Sequence, residues 1–136
     1  MHVTEGRPVI FYLVLRAERS ELSEDKLEEV RRSFLPEEGQ EERYFSDRTG
    51  IMFSFPSHLA SAATNVFVSV TYGGVISILL IDYAYPFDDP SEDFSKFCDE
   101  MVNRIRKVLK TDLHVLRKEM LDLGPRLGAL ELVRLA

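Results

Sequence analysis

The hydrophobic and polar positions divide the chain into blocks of different period. Pro8-Val9-Ile10-Phe11-Tyr12-Leu13-Val14-Leu15 is apolar on both alternating sets. That is the pattern of a strand central in its sheet and covered on both faces. Arg16–Ser20 then turns the chain toward a helix predicted over Glu24–Phe34, where Leu27, Val30 and Phe34 recur at spacings of three and four. Ser23 is placed to cap that helix, and Leu22 and Leu27 hold the two positions of a hydrophobic staple. Pro36 ends it, because proline disfavours helical geometry in the residue before it.

Glu37-Glu38-Gly39-Gln40-Glu41-Glu42 reads as an acidic loop. Arg43–Ser46 and Ile51–Phe55 read as short strands joined by a turn at Asp47-Arg48-Thr49-Gly50, and Pro56–Ala63 as a loop or short helical turn. Val66–Tyr72 and Val75–Tyr85 form the clearest hairpin, with Gly73-Gly74 as a two-residue primed turn. Its first arm alternates: Val66, Val68, Val70 and Tyr72 share one face, Phe67, Ser69 and Thr71 the other. Its second arm is apolar on both sides, Ser77 being the exception before Asp82.

The best-specified helix follows. Asp89 is its predicted N-cap, Pro90 its first residue, and Glu92 completes a capping box. Phe94, Phe97, Cys98, Met101, Val102, Ile105, Val108 and Leu109 give it a continuous apolar face. Thr111-Asp112 then predicts a third helix carrying Leu113, Leu116, Met120 and Leu123, stopped by Gly124-Pro125. The tail over Leu127–Leu135 fits either a short helix or an edge strand, and its Leu, Ala, Glu and Arg content favours the helix. The expectation is one α+β domain over residues 1–136. It has an about five-stranded, mainly antiparallel sheet, in the order β-α-β-β-β-β-α-α, packed against two or three helices. In outline the plan is similar to small trafficking and GTPase-regulator modules of the longin and roadblock type. Longins place two strands before the first helix, however, and no family is assigned.

Composition narrows the classes. With 45% apolar and 29% charged residues the chain is neither disordered nor collagen-like, and its one cysteine, Cys98, cannot form an internal bridge. Val9–Leu15 is too short for a membrane span and lacks a cleavage site, so a cytoplasmic protein is expected. Asn and Gln are scarce and Arg outnumbers Lys, which fits a thermophile or a GC-rich genome. The formal charge of -6 argues against direct nucleic-acid binding. It is unevenly spread: residues 1–100 are acidic and residues 101–136 net basic, partly because helix ends favour such placement.

Candidate chemistry is sparse. Cys98 lies in an apolar stripe and reads as a core thiol. His2, His58 and His114 show no ligand spacing, no glycine-rich phosphate loop is present, and no catalytic residue, metal or cofactor is assigned. His58 lies in a Ser- and Ala-rich loop. Asp82 closes an apolar strand, on the side of Ile78 and Leu80, beside Tyr83 and Tyr85. With Asp88, Asp89, Glu92 and Asp93 it makes an acidic corner, which helix capping also explains.

Three functional readings follow. The first is a non-enzymatic interaction or assembly module, such as an adaptor, because a sheet with two doubly apolar strands calls for a covered second face; the simplest cover is a second copy, in a homodimer. The second is an acidic inhibitor or immunity-type protein blocking a basic partner through Glu37, Glu38, Glu41, Glu42, Asp88, Asp89, Glu92 and Asp93. The third is a small-ligand sensor or enzyme using His58, Asp82 and Tyr83 or Tyr85.

Overall fold

The computed structural model describes residues 6–18, 21–34, 42–57, 64–86 and 88–123. The elements run β1 (Arg7–Ala17), α1 (Glu24–Phe34), β2 (Arg43–Ser46), β3 (Gly50–Ser57), β4 (Thr64–Thr71), β5 (Val75–Tyr85), α2 (Ser91–Leu109) and β6 (Leu113–Asp122). The strands pair antiparallel throughout, in the order β2-β3-β4-β5-β1-β6. The protein is therefore α+β with an antiparallel sheet, as the patterning predicts. The sheet gains a sixth strand where a third helix was expected.

Both helices lie on one side of this sheet. Val9, Phe11, Leu13 and Leu15 of β1, Ile51, Phe53 and Phe55 of β3, Val66, Val68 and Val70 of β4, and Ile76, Ile78 and Leu80 of β5 all point into the core. From above, α1 contributes Leu27, Val30 and Phe34, and α2 contributes Phe97, Cys98, Met101, Ile105 and Leu109. Burying each such side chain is worth about 1.5–3 kcal/mol, so this layer carries most of the fold's stabilisation. Ring pairs tie the layers together: Phe11 meets Phe94 and Phe97 at 5.2 and 5.6 Å, and Phe34 meets Phe53 at 5.7 Å.

α1 forms where its local signals place it. Ser23 Oγ accepts the Lys26 N–H at 3.2 Å, and Leu22 packs against the core. At α2 the N-cap is Pro90, one residue later than predicted, and it makes no side-chain cap bond. Asp89 Oδ1 accepts both the N–H and the Oγ–H of Ser91, at 3.0 and 2.7 Å, while the Phe94 N–H already bonds back to the Pro90 carbonyl. Glu92 leaves the capping box unformed and pairs with Lys96 at 3.3 Å. The helix ends at Lys110, which takes a left-handed conformation (φ 53°) and returns its N–H to the Arg106 carbonyl.

Two readings need correction. Residues 113–122 are a strand because β1, an interior strand, has a second row of N–H and C=O groups that must be satisfied. β6 supplies the partners from Val9↔Asp122 to Ala17↔Leu113, with an irregularity between Val14 and Leu15 that leaves Leu116 without a paired position. The spacing that suggested a helix does not follow burial: Leu116 is about half exposed, whereas Leu113 and Met120 pack against the core. The hairpin, second, turns through Tyr72-Gly73-Gly74. The Gly74 N–H bonds to the Thr71 carbonyl at 3.0 Å, Gly74 alone of the two glycines has positive φ (86°), and Thr71 Oγ1 accepts the Val75 N–H. That is a three-residue loop ending in a left-handed glycine.

The β2–β3 turn forms as expected: Asp47 Oδ1 accepts from the Thr49 N–H, the Thr49 hydroxyl and the Gly50 N–H. Of the predicted loop over Pro56–Ala63, Pro56 and Ser57 instead end β3, paired with Asn65 and Thr64, while residues 58–63, like residues 37–41 and the tail over residues 127–135, lie outside the described residues.

Candidate functional site

Two regions concentrate chemistry. At one end of the sheet, where β1 begins and β5, β6 and the approach to α2 meet, Arg7 is 5% exposed. Its guanidinium donates through Nε and Nη2 to the two carboxylate oxygens of Asp122, at 3.0 and 2.9 Å. The remaining donors reach the Pro86 and Asp88 carbonyls, the latter at 2.8 Å, and the group lies 5.4 Å from the centre of the Tyr85 ring. This is the forked geometry at which arginine excels. Its bond to Asp122 raises the Arg7 pKa against the opposing effect of burial.

The neighbouring groups complete a knot. The Tyr85 hydroxyl donates to Asp93 Oδ2, joining β5 to the first turn of α2. Burial, then this bond and the carboxylate charge, push the Tyr85 pKa well above the ordinary tyrosine range. Asp82, 1% exposed, accepts the Ala84 N–H through Oδ1 at 3.0 Å. Of the acidic corner, Asp88 meets Arg7 through its backbone carbonyl and Asp93 joins through the Tyr85 hydroxyl, whereas Glu92 turns to Lys96.

The candidate residues scatter more widely than their pattern suggested. Asp82 and Tyr85 are buried in the knot, whereas Tyr83 is exposed. Glu42 reaches across to Arg31 at the β2 side of the molecule, with β3, β4 and β5 lying between it and the Asp88–Asp93 group. Glu37, Glu38, Glu41 and His58 lie outside the described residues. Burial raises the Cys98 pKa, as suits a core thiol rather than a nucleophile. Among the described residues no group of three His, Cys, Asp or Glu could hold a metal ion, and no helix is long and apolar enough to cross a membrane.

The second region is the sheet face opposite the helices. Paired residues in a ladder share a face, so the strand register lays this surface out as rows. One row runs Arg43, Ser54, Phe67, Leu79, Tyr12, Glu119 from β2 to β6. The next runs Phe45, Met52, Ser69, Ser77, Val14, Arg117. On the other side of the first lie Asn65, Ile81, Ile10 and Leu121. Phe45 is 60% exposed, Met52 58%, Leu121 52% and Phe67 40%; Ile10, Tyr12, Leu79 and Ile81 are half-buried beside them. Between Phe45, Met52, Phe67 and Leu79 lies a groove of about 280 Å³ over Ser54, Ser69 and Ser77.

A doubly apolar β1 was the sequence signal for this surface, together with Phe67 standing opposite the Val66, Val68 and Val70 set. Phe45 and Met52 were not singled out, because a four-residue strand such as β2 carries too little pattern to reveal which residues face outward. Charge on this face is mainly basic: Arg43 and Arg117, with Glu119 bonded to Arg117 at 2.7 Å. No protein-family model matches the chain, and no curated protein sequence is significantly similar to it.

Proposed function

We propose that this protein is a non-enzymatic interaction or assembly module whose working surface is the helix-free face of the sheet. One observation carries the reading. Phe45, Met52, Phe67 and Leu121 are exposed and contiguous with half-buried Ile10, Tyr12, Leu79 and Ile81, while both helices cover the other side. An apolar surface running across most of a sheet is costly to leave in water, and apolar patches of this kind are used for protein docking. The polar knot around Arg7 has the opposite character. Its donors are taken up by protein acceptors, which suits a structural joint between β1, β6 and α2.

Hydroxyl-radical footprinting tests the reading without knowledge of the partner. Purified protein is labelled at low and at high concentration, and again in lysate of its source. Protection of Met52, Phe45 and Phe67 relative to Tyr83, in concentrated protein or in lysate, is the expected result. Equal labelling of these residues under all three conditions would refute it.

A further inference from the structure

We infer that the occupant of this face is a second copy of the chain, docked by a two-fold axis that runs across the strands between the Phe67 row and the Ser69 row. The inference rests on the docking reading above and adds the partner and its register.

Phe67, 40% exposed, and half-buried Leu79 are paired on β4 and β5 and are the large side chains beside the groove, its knobs. One step along each strand, on the same face, stand Ser69 and Ser77, which are small and floor the groove. Same-face neighbours along a strand are about 7 Å apart, and stacked sheets lie about 10 Å apart. A two-fold axis across the strands, midway between the rows, brings each strand over its own copy with the rows exchanged. Phe67 then faces the partner's Ser69 and Leu79 the partner's Ser77, twice each by symmetry. The outer positions agree in kind. Arg43 comes over the partner's Phe45, a cation on an aromatic ring, and Glu119 over the partner's Arg117, opposite charges. An axis along the strands instead sets Phe67 against the partner's Leu79 and the two serines against each other, leaving the groove empty.

The size is adequate. Six strands at about 4.8 Å spacing span roughly 24 Å, and eleven-residue β1 and β5 run roughly 36 Å. Allowing for twist, two such faces overlap over several hundred Å², near the ~800 Å² per partner of a stable specific interface. The β6 edge is a weaker candidate for the contact. Its irregular pairing and its His114, Arg117, Lys118 and Glu119 side chains are features that discourage edge-to-edge pairing.

The test exchanges knob and hole. In sedimentation velocity the wild type is expected at twice its 15.6 kDa chain mass. Ser69→Phe fills the hole and Phe67→Ser removes the knob; each should weaken the dimer by at least about 30-fold, two contacts being lost per dimer. The double variant Phe67→Ser/Ser69→Phe should dimerise as the wild type does, and so should an equimolar mixture of the two single variants. Circular dichroism confirms folding, and if Ser69→Phe does not fold, Leu79→Ser with Ser77→Leu puts the same question one strand away. A wild-type dimer with no rescue by exchange overturns the register but leaves the docking reading standing. A wild-type monomer overturns the second copy as occupant. The docking reading then survives if Met52 is protected in lysate; Met52 that becomes reactive only after residues 124–136 are deleted overturns both, because the chain's own tail is then the cover.

Discussion

Replacing Arg7 by Met tests whether the polar knot holds the sheet together. The substitution keeps an unbranched apolar stem and removes both fork bonds to Asp122 and the two to the Pro86 and Asp88 carbonyls. Removing one partner of a buried ion pair costs about 3–5 kcal/mol. Here water can reach part of what is left behind: the Asp122 side chain is 34% exposed, and Pro86 and Asp88 are exposed too. The expected loss is therefore at the lower end, about 3 kcal/mol, or roughly 10 °C in Tm for a domain of this size. Urea unfolding of Arg7→Met, Asp122→Asn and the double variant measures it, and the cycle should return a coupling of about 1.5 kcal/mol. Arg7→Lys should recover less than half, since an ammonium cannot fork across both carboxylate oxygens. A loss below about 1 kcal/mol for Arg7→Met, or two single variants that simply add, would refute the claim that this pair clamps β6 to β1.

Three further outcomes are expected. Tyr85→Phe should cost about 1–2 kcal/mol at neutral pH through the lost bond to Asp93. Because folding raises the Tyr85 pKa, its protonated form contributes stability below the unfolded value of 10.0 that is lost as pH rises above it; alkaline unfolding followed by circular dichroism should be shallower in the variant. Gly50→Ala should destabilise by about 3 kcal/mol or more in thermal melts, since a Cβ there lies 2.0 Å from the Val70 carbonyl oxygen at a φ of +156°. A loss under about 1 kcal/mol means the turn relaxes easily. Cys98 should resist iodoacetamide in the native protein and react at its unfolding rate, whereas rapid native labelling contradicts a core thiol.

What the sequence shows depends on where the deciding interactions lie. α1 is legible because its cap at Ser23, its three-residue stripe and its stop at Pro36 are all local. The α+β class and the meander from β2 to β5 are legible for the same reason: turn residues and alternation sit beside one another. β6 is not, because its conformation is set by β1, far away in sequence, whose second edge needs a partner; the local spacing of Leu113, Leu116 and Met120 suits a helix equally well. Arg7 was missed for a related reason. Nothing beside it announces a partner, and Asp122 and Asp88 reach it through the folded topology alone. The open face lies between these cases. Its apolarity showed in β1 and β5, but which residues stand exposed together requires the register.

The place of β1 between β5 and β6 also governs how the chain matures during synthesis. This strand, apolar on both faces, leaves the ribosome first of the elements described here, yet both its neighbours are made much later. The Arg7–Asp122 bond alone spans 115 residues, which at about 5–20 residues per second takes roughly 6–23 s to translate. Within that interval Val9–Leu15 has no ladder partner until β5 is made and only one until β6 follows, and the α1 stripe has no completed sheet beneath it. The nascent chain therefore presents a sticky seven-residue strand for seconds before its sheet can close, so folding yield should depend on whatever shields that strand, and slower translation should widen the window for aggregation.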